Sequence, residues 1–421
     1  MKAFIHKSKV KGKVTAPSSK SYTIRALMCA ALARGESEIV HPLASDDTLA
    51  ALNVLGKVGV RIQQSSDSWL VSGGDFHQPD TDLFCGESAA TLRFMTAICS
   101  LIPGKCKLVT GPSLAKRPVR PLIQALQQLG VKAFSQGECA PVFIEGGRLK
   151  GGVTEMPGDI SSQFVSALLF AAPLSEAGVE IRLTTPLESK PFVLMTLECL
   201  KGFGVKVESS TDLREFRVAR QTYRPARYEV EGDWSSASYL LSLGALSGEV
   251  EVGNLNPVSQ QGDRVLLDFL KAMGVQTETS ANSVTVRRSG LKAVKADLSD
   301  CIDLLPTMAT LAGAASGLSE FTGISRARLK ESDRVAAVKE GLERMGIKAV
   351  EEPDKLSIAG SIPKGSVIDP KDDHRIAMAF SVLGTVAGDT TIDNADCVSK
   401  TYPGFWDALR SIGGEVVING E

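Results

Sequence analysis

Cations and hydroxyl groups gather in this chain at the starts of several apolar segments. Residues 17–21, 158–163 and 372–375 each precede a run of small and apolar residues, a pattern that predicts the N-terminus of a helix. Such an N-terminus has free N–H groups and a partial positive charge, so it binds anions and disfavours nearby cations. Cations nevertheless lie at or near these starts: Lys20, Arg25, Arg93, Arg117, Lys330, Arg334, Arg375 and Lys400. The set predicts a site for anionic ligands, although any one polar residue alone could be an ordinary cap.

Three side chains among these cations could transfer protons. Asp303 lies in an otherwise apolar run. Glu331 is one helical turn from Arg334, which brings the two side chains together. His374 adjoins Arg375. A positioned acid and base of these types can move protons at a reacting carbon or hydroxyl, but each could instead be a cap or half of a surface ion pair.

The elements that would position these residues come from an internal repeat. A phrase of Leu, two variable residues, a bulky apolar residue and Gly recurs six times, at a spacing of about 70 residues. It is typical of the end of an amphipathic helix, a glycine with positive φ and the start of a strand. Its glycines are Gly59, Gly130, Gly204, Gly274, Gly346 and Gly413.

A second helix pattern, apolar nearly all round, ends at another glycine in every repeat. Helices of this kind lie inside a domain. Each repeat is therefore predicted as strand, buried helix, strand, amphipathic helix and strand, with one strand more. The second set of glycines is Gly35, Gly104, Gly178, Gly248, Gly317 and Gly388.

The six repeats predict an α/β (α+β) fold of two similar domains with three repeats each. The polar stretch 220–227 separates the halves. We predict a first domain of residues 16–224 and a second of residues 1–15 plus 225–421, to which the N-terminal residues supply a strand. The helix starts of related repeats would then face a common cleft.

Composition excludes several classes of protein. The 421 residues carry 47 Lys and Arg against 48 Asp and Glu, so no overall charge favours nucleic acid or a membrane surface. The eight cysteines have no metal-binding or disulfide spacing, and no segment has the length and apolarity of a transmembrane helix. We expect a soluble cytoplasmic monomer with reduced thiols and no metal.

Asp46–Asp47 and residues 372–374 could ligate a metal, but a further cluster at suitable spacing is lacking. Motifs for nucleotide-dependent, serine-hydrolase and zinc-protease chemistry are missing too.

Several motifs resemble those of EPSP synthases, members of the enolpyruvyl transferase family. The resemblance runs from about residue 2 to residue 409. Its motifs are Ser19-Lys20-Ser21 with Arg25, residues 86–93, Arg117-Pro118, Ser161-Ser162-Gln163, residues 189–192, Asp303, residues 330–334, Asp373-His374-Arg375 and Lys400-Thr401.

The resemblance implies a fold and a reaction. The family fold has two domains of three βαβαββ units with helices packed inside, an inside-out α/β barrel that closes on substrate. The reaction moves the enolpyruvyl group of phosphoenolpyruvate to the 5-hydroxyl of shikimate 3-phosphate and releases phosphate. No cofactor is implied.

Roles for individual residues follow from the same resemblance. The residues implied to hold shikimate 3-phosphate are Lys20, Ser21, Arg25, Ser161, Ser162, Gln163, Ser189, Asp303 and Lys330. Those implied at phosphoenolpyruvate are Lys20, Ala89, Arg117, Gln163, Arg334, Arg375 and Lys400. Asp303 would be the base on the 5-hydroxyl, and Glu331, assisted by His374, would serve the methylene carbon. Lys20, which would touch both ligands, is also implied to be catalytic. The surrounding cations are expected to keep both carboxylates ionised at rest.

Some positions depart from the family pattern. Glu87 stands where many members have Asn, Phe192 where Tyr is common and Arg326 where Asn is frequent. Ala89 stands where many members have Gly, beside the site that phosphoenolpyruvate and glyphosate share. Its methyl group predicts tolerance of glyphosate, because glyphosate is the longer ligand. The alternative is that Ala89 only adds helix propensity.

Other functions are open to the same residues. A sister enzyme transfers enolpyruvyl to UDP-N-acetylglucosamine but usually has a reactive cysteine in a loop of its first half. Residues 111–117, the corresponding loop, contain none. A ring or clamp around nucleic acid would need a basic inner surface, and a regulatory homologue would need to have lost Lys20, Asp303, Glu331 or Lys400.

Overall fold

Strands and helices occur throughout residues 1–419, which the computed structural model describes. The strands are β1 (Lys2–Ile5), β2 (Val10–Thr15), β3 (Gly35–Val40), β4 (Arg61–Gln64), β5 (Ser68–Gly73), β6 (Leu83–Phe84), β7 (Gly104–Val109), β8 (Lys132–Gln136), β9 (Cys139–Gly146), β10 (Gly152–Met156), β11 (Val179–Leu183), β12 (Glu208–Ser209), β13 (Glu215–Val218), β14 (Arg227–Glu229), β15 (Gly248–Gly253), β16 (Gln276–Thr279), β17 (Ser283–Arg287), β18 (Lys295–Asp297), β19 (Leu318–Thr322), β20 (Lys348–Glu352), β21 (Lys355–Ala359), β22 (Val367–Ile368), β23 (Thr390–Ile392) and β24 (Val416–Asn419).

The α-helices lie between groups of one to three of these strands. They are α1 (Lys20–Leu32), α2 (Asp46–Lys57), α3 (Ala89–Ile98), α4 (Arg120–Gln128), α5 (Ser162–Ala171), α6 (Lys190–Gly202), α7 (Trp234–Ser247), α8 (Leu266–Ala272), α9 (Leu305–Gly313), α10 (Arg334–Arg344), α11 (His374–Ala387) and α12 (Phe405–Ser411). Short 3-10 helices are Cys99–Leu101, Leu114–Lys116, Ala172–Leu174, Gly262–Val265, Ile302–Leu304, Ser325–Leu329 and Ala395–Lys400.

The chain divides into two compact units. The inserted unit is Ser18–Val230, and the two-segment unit is Met1–Pro17 together with the chain from Glu231 onward. These boundaries differ by a few residues from the predicted 16–224. The N–H of Ala16 donates to the carbonyl of Gly253 at 3.0 Å, and β14 pairs in parallel with β3. Backbone hydrogen bonds, which the polar composition of residues 220–227 does not reveal, decide which unit a segment joins.

Six four-stranded sheets within residues 1–419 share one pairing plan. In the sheet β6-β7-β9-β8, for example, β6 runs parallel to β7, whereas β9 is antiparallel to both β7 and β8. Three sheets take a strand from a distant part of the chain: β14 joins β3, β2 joins β15, and β1 lies between β23 and β24. The predicted six-fold repeat is confirmed.

The two kinds of helix differ in burial, as the sequence predicts. Every residue of α9 is buried, whereas α4 buries one face through Leu122, Ile123 and Leu126. Each unit has its own apolar core. Among the described residues, no helix combines the length and apolarity needed to cross a membrane.

The repeated glycine phrase ends the amphipathic helices as predicted. Gly130 has φ of +84°, and the N–H of Val131 donates to the carbonyl of Leu126 at 3.0 Å. This bond closes the last turn and reverses the chain into β8. The same bond occurs after α2, α6, α8, α10 and α12. The chain therefore leaves each amphipathic helix in the same way and enters the next strand a few residues after the glycine in all six repeats.

Candidate active site

Buried helices of the inserted unit begin at serines. The Oγ atoms of Ser19, Ser88 and Ser161 accept from the N–H groups of Tyr22, Thr91 and Gln163, each at 3.4 Å. The predicted helix N-termini at residues 17–21 and 158–163 are thus present. Their caps are neutral hydroxyls, so nothing in the cap itself cancels the positive end of the helix.

In the two-segment unit, carboxylates occupy the corresponding places. Asp233 caps α7 by accepting from the N–H of Ser236 at 2.7 Å, and Asp373 caps α11 by accepting from the N–H of Arg375 at 3.0 Å. Asp303 lies in the 3-10 turn that leads into α9. This unit therefore places negative charge at the starts of its buried helices.

Arg334 is the centre of the charged cluster in the two-segment unit. It is the first residue of α10, and only 1% of its side chain is exposed. Its Nε is 2.7 Å from Asp373 Oδ2, its Nη1 is 2.8 Å from Asp303 Oδ1, and its Nη2 is 2.7 Å from Glu331 Oε2. One guanidinium thus fixes the carboxylates from three separate elements, and the rigid fork of arginine suits this task.

Asp303 has two further cations beside it. Lys330 Nζ is 3.2 Å from Oδ1, and Arg375 Nη2 is 3.3 Å from Oδ2. Burial raises the pKa of Asp303, but Arg375, Lys330 and Arg334 outweigh burial and hold that pKa well below its usual value. Asp303 is therefore ionised at neutral pH, as the sequence predicts, and is a weak base while these cations face it.

Glu331 and His374 lie at the edge of the same cluster. Lys400 Nζ is 3.6 Å from Glu331 Oε1, and Arg334 Nη2 contacts the second oxygen, Oε2. His374 is 1% exposed, and its Nδ1 lies 3.7 Å from Asp373 Oδ1, beyond hydrogen-bond reach. Burial and the charge of Arg375 lower the pKa of His374 well below its usual value, so the ring is neutral at pH 7.

Asp263 is a member of this cluster that the sequence analysis did not identify. It lies in the 3-10 turn before α8, is 4% exposed, and accepts a hydrogen bond from Ser235 Oγ. Burial and the negative charge of Asp303 raise its pKa to about 7. The segment 261–263 looks like an ordinary helix start in sequence, so only its packing against the start of α7 distinguishes it.

In the inserted unit, Arg93 joins two helices whose starts carry predicted ligand-binding residues. Its Nη1 donates to Gln163 Oε1 at 2.8 Å and to Ser161 Oγ at 3.1 Å. The guanidinium also lies 5.0 Å from the ring centre of Phe164. Arg93 was one of the cations singled out in the sequence, but without a role; here it sets the position of the Ser161–Gln163 turn.

Arg25 is held by hydrogen bonds within the inserted unit. It donates to Thr196 Oγ1 and the Phe192 carbonyl, both at 2.9 Å, and to the Ser21 carbonyl at 3.0 Å. Arginine has five N–H groups, so two remain beyond these three bonds. Burial lowers the pKa of Arg25 below its usual value.

Lys20 forms an ion pair with Asp47, one of the two neighbouring aspartates that could also ligate a metal. Lys20 Nζ is 3.0 Å from Asp47 Oδ2, and Asp47 is 4% exposed. Asp47 therefore positions the cation at the start of α1. Its partner could not be deduced from sequence, because 27 residues and a strand separate the two.

The remaining predicted residues also lie at element ends. Ala89 and Ser162 are the first residues of α3 and α5, and Ser189 precedes α6 with a left-handed φ of 54°. Arg117 follows the 3-10 turn Leu114–Lys116 and is 8% exposed. All of these positions are buried. The predicted residues thus lie at the starts of both kinds of helix and in neighbouring 3-10 turns.

Comparison with solved structures defines the class of protein. An EPSP synthase from Acinetobacter baumannii is 25% identical, with a TM-score of 0.83 over 99% of this chain and 100% of that chain. The enolpyruvyl transferase NikO from Streptomyces tendae is 17% identical, with a TM-score of 0.79 over 99% and 98% of the two chains. The fold is that of the enolpyruvyl transferases.

Sequence comparison defines the family more narrowly. The family model of EPSP synthase (3-phosphoshikimate 1-carboxyvinyltransferase) matches residues 5–409, so this chain belongs to the EPSP synthase family and is an enzyme. Proteins named 3-phosphoshikimate 1-carboxyvinyltransferase are similar throughout. One from Dehalococcoides mccartyi is 48% identical over 99% of both chains, and one from Methanococcoides burtonii is 41% identical over 100% of both. The UDP-N-acetylglucosamine alternative is not favoured.

Proposed function

We propose that this chain transfers the enolpyruvyl group of phosphoenolpyruvate to the 5-hydroxyl of shikimate 3-phosphate and releases phosphate, a step of the shikimate pathway. The observation that carries the proposal is the buried cluster in which Arg334 links Asp303, Glu331 and Asp373. It supplies two carboxylates able to move protons among cations able to hold anionic substrates. Each unit contributes one part of the machinery.

The inserted unit would hold shikimate 3-phosphate. Ser161, Ser162 and Gln163 form the turn at the start of α5, where N–H groups and hydroxyls suit a phosphate. Ser21, Arg25 and Ser189 complete the set at the starts of α1 and α6. Lys20 would serve both substrates.

Phosphoenolpyruvate would be held by a set of cations. Arg117 from the inserted unit, and Arg334, Arg375 and Lys400 from the two-segment unit, are each buried. A buried guanidinium binds carboxylate and phosphate strongly, because planar paired hydrogen bonds form in a low dielectric.

In the first chemical step, a proton is added to the methylene carbon of phosphoenolpyruvate while the 5-hydroxyl attacks C2. Glu331 would donate the proton to the methylene, and Asp303 would accept the proton of the hydroxyl. The C–C double bond is lost, a C–O bond forms, and a tetrahedral adduct that still carries phosphate results.

In the second step, the adduct loses a proton from the methyl group and the C2–phosphate oxygen bond breaks. Glu331 would take that proton back, and Asp303 would return its proton toward the leaving phosphate. Each carboxylate thus works once in each direction. His374 would remain neutral and shape the surroundings of Glu331.

Substrate binding would itself prepare Asp303. Three cations hold its pKa low, so an anion that binds to Arg375 or Arg334 would weaken their hold and raise the basicity of Asp303. Glu331 must carry a proton before it can donate one to the methylene carbon, and it could take up that proton when Lys400 and Arg334 turn to the substrate. The chemistry would therefore begin only with the ligands in place.

The methyl group of Ala89 would narrow the phosphoenolpyruvate site. Ala89 is the first residue of α3 and is 7% exposed, so its methyl group would clash with a ligand longer than phosphoenolpyruvate before it affected phosphoenolpyruvate itself. We extend the proposal to tolerance of glyphosate and to a cytoplasmic monomer that works without a cofactor.

The test is release of inorganic phosphate from phosphoenolpyruvate by the purified chain. We expect release with shikimate 3-phosphate and none without an acceptor. UDP-N-acetylglucosamine in place of shikimate 3-phosphate tests the sister reaction. Release with that acceptor alone, or no release with either, would overturn the proposal.

A further inference from the structure

Glu87 connects the start of α3 to the loop that ends at Arg117. It precedes the cap residue Ser88. Its Oε1 accepts from the N–H of Ser113 at 3.1 Å, and its Oε2 accepts from the N–H of Leu114 at 2.7 Å. Both donors lie at the start of the 3-10 turn Leu114–Lys116. The carboxylate thus acts as the cap of that turn.

The same loop is anchored beside Glu87 by its backbone. The N–H of Gly111 donates to the carbonyl of Gly86 at 2.9 Å, and the N–H of Ala115 donates to the carbonyl of Gly111 at 3.0 Å. A Cβ atom added at Gly111 would overlap Glu87 Oε1. The glycine therefore leaves the space that the carboxylate fills.

Arg117 takes its position from this turn. Its N–H donates to the carbonyl of Leu114 at 3.0 Å, and its side chain is buried. A shift of the turn would move the guanidinium with it. Misplacement of a binding group by about 1 Å is enough to weaken a site substantially.

Only a carboxylate can accept hydrogen bonds from both backbone N–H groups, those of Ser113 and Leu114. Each of its oxygens accepts one N–H, whereas the amide of Gln offers one oxygen and two N–H groups. In Glu87→Gln one backbone donor would face another donor, and a donor left without an acceptor costs more than a hydrogen bond contributes.

From this geometry we propose that Glu87 is a positioning residue that places Arg117 and so sets the affinity for phosphoenolpyruvate. The inference rests on the proposed function, in which Arg117 binds that substrate. In this role Glu87 acts through residues 113–117 and needs no contact with a reacting atom.

The first experiment measures steady-state kinetics of Glu87→Gln. We expect the KM for phosphoenolpyruvate to rise about tenfold, with kcat within about twofold and the KM for shikimate 3-phosphate unchanged. Glu138→Gln is the matched control, because Glu138 pairs with Arg120 on the exposed surface close to the same loop. It should behave as the wild type. An unchanged KM for phosphoenolpyruvate in Glu87→Gln, or a loss shared by both substrates, would overturn the inference.

Hydrogen exchange gives a readout that does not depend on activity. Peptides covering residues 111–117 should exchange faster in Glu87→Gln than in the wild type or in Glu138→Gln. Unchanged exchange would contradict the cap. A wild type without phosphate release would instead refute the proposed function while leaving this structural result in place.

A double-mutant cycle separates the cap from general destabilisation. Gly111→Ala should displace the carboxylate and raise the KM for phosphoenolpyruvate as Glu87→Ala does. Added to Glu87→Ala, it should cause little further change, because the atom it displaces is gone. Additive effects of the two substitutions would show that they act independently and would overturn the cap.

Discussion

The starts of the buried helices differ between the two units in one chemical respect. In the inserted unit the caps are Ser19, Ser88 and Ser161, whereas in the two-segment unit Asp233 and Asp373 cap α7 and α11. Asp303 lies in the turn before α9. The same repeat thus presents hydroxyls in one unit and carboxylates in the other.

The difference teaches how one repeat supplies two kinds of site. Hydroxyl caps leave the helix ends and nearby arginines positive, which suits a surface that binds anions. Carboxylate caps neutralise Arg334 and Arg375 and add groups that exchange protons. We infer that the inserted unit mainly grips shikimate 3-phosphate, whereas the two-segment unit carries the proton-transfer groups together with most of the cations for phosphoenolpyruvate.

The largest expected effect comes from removing a proton-transfer group in the two-segment unit. Asp303→Asn and Glu331→Gln keep the shape of each side chain but remove its basicity, so turnover should fall about 10²–10⁴-fold. Substrate binding should stay within about tenfold. Glu340→Gln, which alters the surface pair with Arg344, is the control. Turnover and equilibrium substrate binding are measured for all three variants. Near-normal turnover of Asp303→Asn or of Glu331→Gln would remove the substituted carboxylate from the mechanism.

A smaller effect is expected at the start of α3 in the inserted unit. Ala89→Gly removes a methyl group that the longer ligand glyphosate would meet, and overpacking a filled site costs about 1–3 kcal/mol. Inhibition by glyphosate should strengthen about tenfold or more, with a small change in the KM for phosphoenolpyruvate. Glyphosate inhibition curves of the wild type and Ala89→Gly, measured at one fixed phosphoenolpyruvate concentration, test this expectation. Equal sensitivity of the two proteins would mean that Ala89 only favours the helix.

The grip itself is tested at Arg93. Lysine lacks the planar guanidinium that lies over the Phe164 ring while its Nη1 donates to Ser161 and Gln163, so Arg93→Lys should raise the KM for shikimate 3-phosphate about tenfold. We expect kcat to stay within about twofold. Arg148→Lys, at the surface pair with Glu176, is the control. If Arg93→Lys lowered kcat without changing the KM for shikimate 3-phosphate, the inserted unit would contribute to the chemical step and not only to substrate binding.

The smallest expected effect concerns the stability of the two-segment unit. Because burial raises the pKa of Asp263 to about 7, the folded protein holds a proton there that the unfolded chain releases near pH 4. This contribution is fully present below that pH and is lost as the pH rises through 7. The stability of the wild type relative to Asp263→Asn should therefore fall by about 1 kcal/mol between pH 5 and pH 6.

Tryptophan fluorescence can follow that unit. Of the three tryptophans, Trp234 and Trp406 belong to the two-segment unit and Trp69 to the inserted unit. Urea unfolding in a Trp69→Phe background, with and without Asp263→Asn, gives the required difference. A difference that does not vary with pH would show that Asp263 carries no extra proton in the folded state.

Much of the architecture could be predicted from local patterns. The glycine phrase located the ends of the amphipathic helices, since the close of a helix depends on a few neighbouring residues. Residues 1–15 were expected to join the second half, where β1 and β2 lie. The exact limits at Pro17 and Val230 could not be predicted, because they depend on which distant strand each segment pairs with.

The site divides in the same way. The types and positions of Lys20, Asp303, Glu331 and Arg334 were enough to predict anion binding and proton transfer. The sequence by itself thus determined the six repeats, their helix ends and the residues that could do chemistry, because these depend on local propensity and residue type. Only the tertiary structure decided which charges meet. It brought Asp47 to Lys20, Asp263 close to Asp303 and Glu87 to the loop before Arg117. Burial and distance set the energy of a charge, and both arise only when segments far apart in sequence pack together.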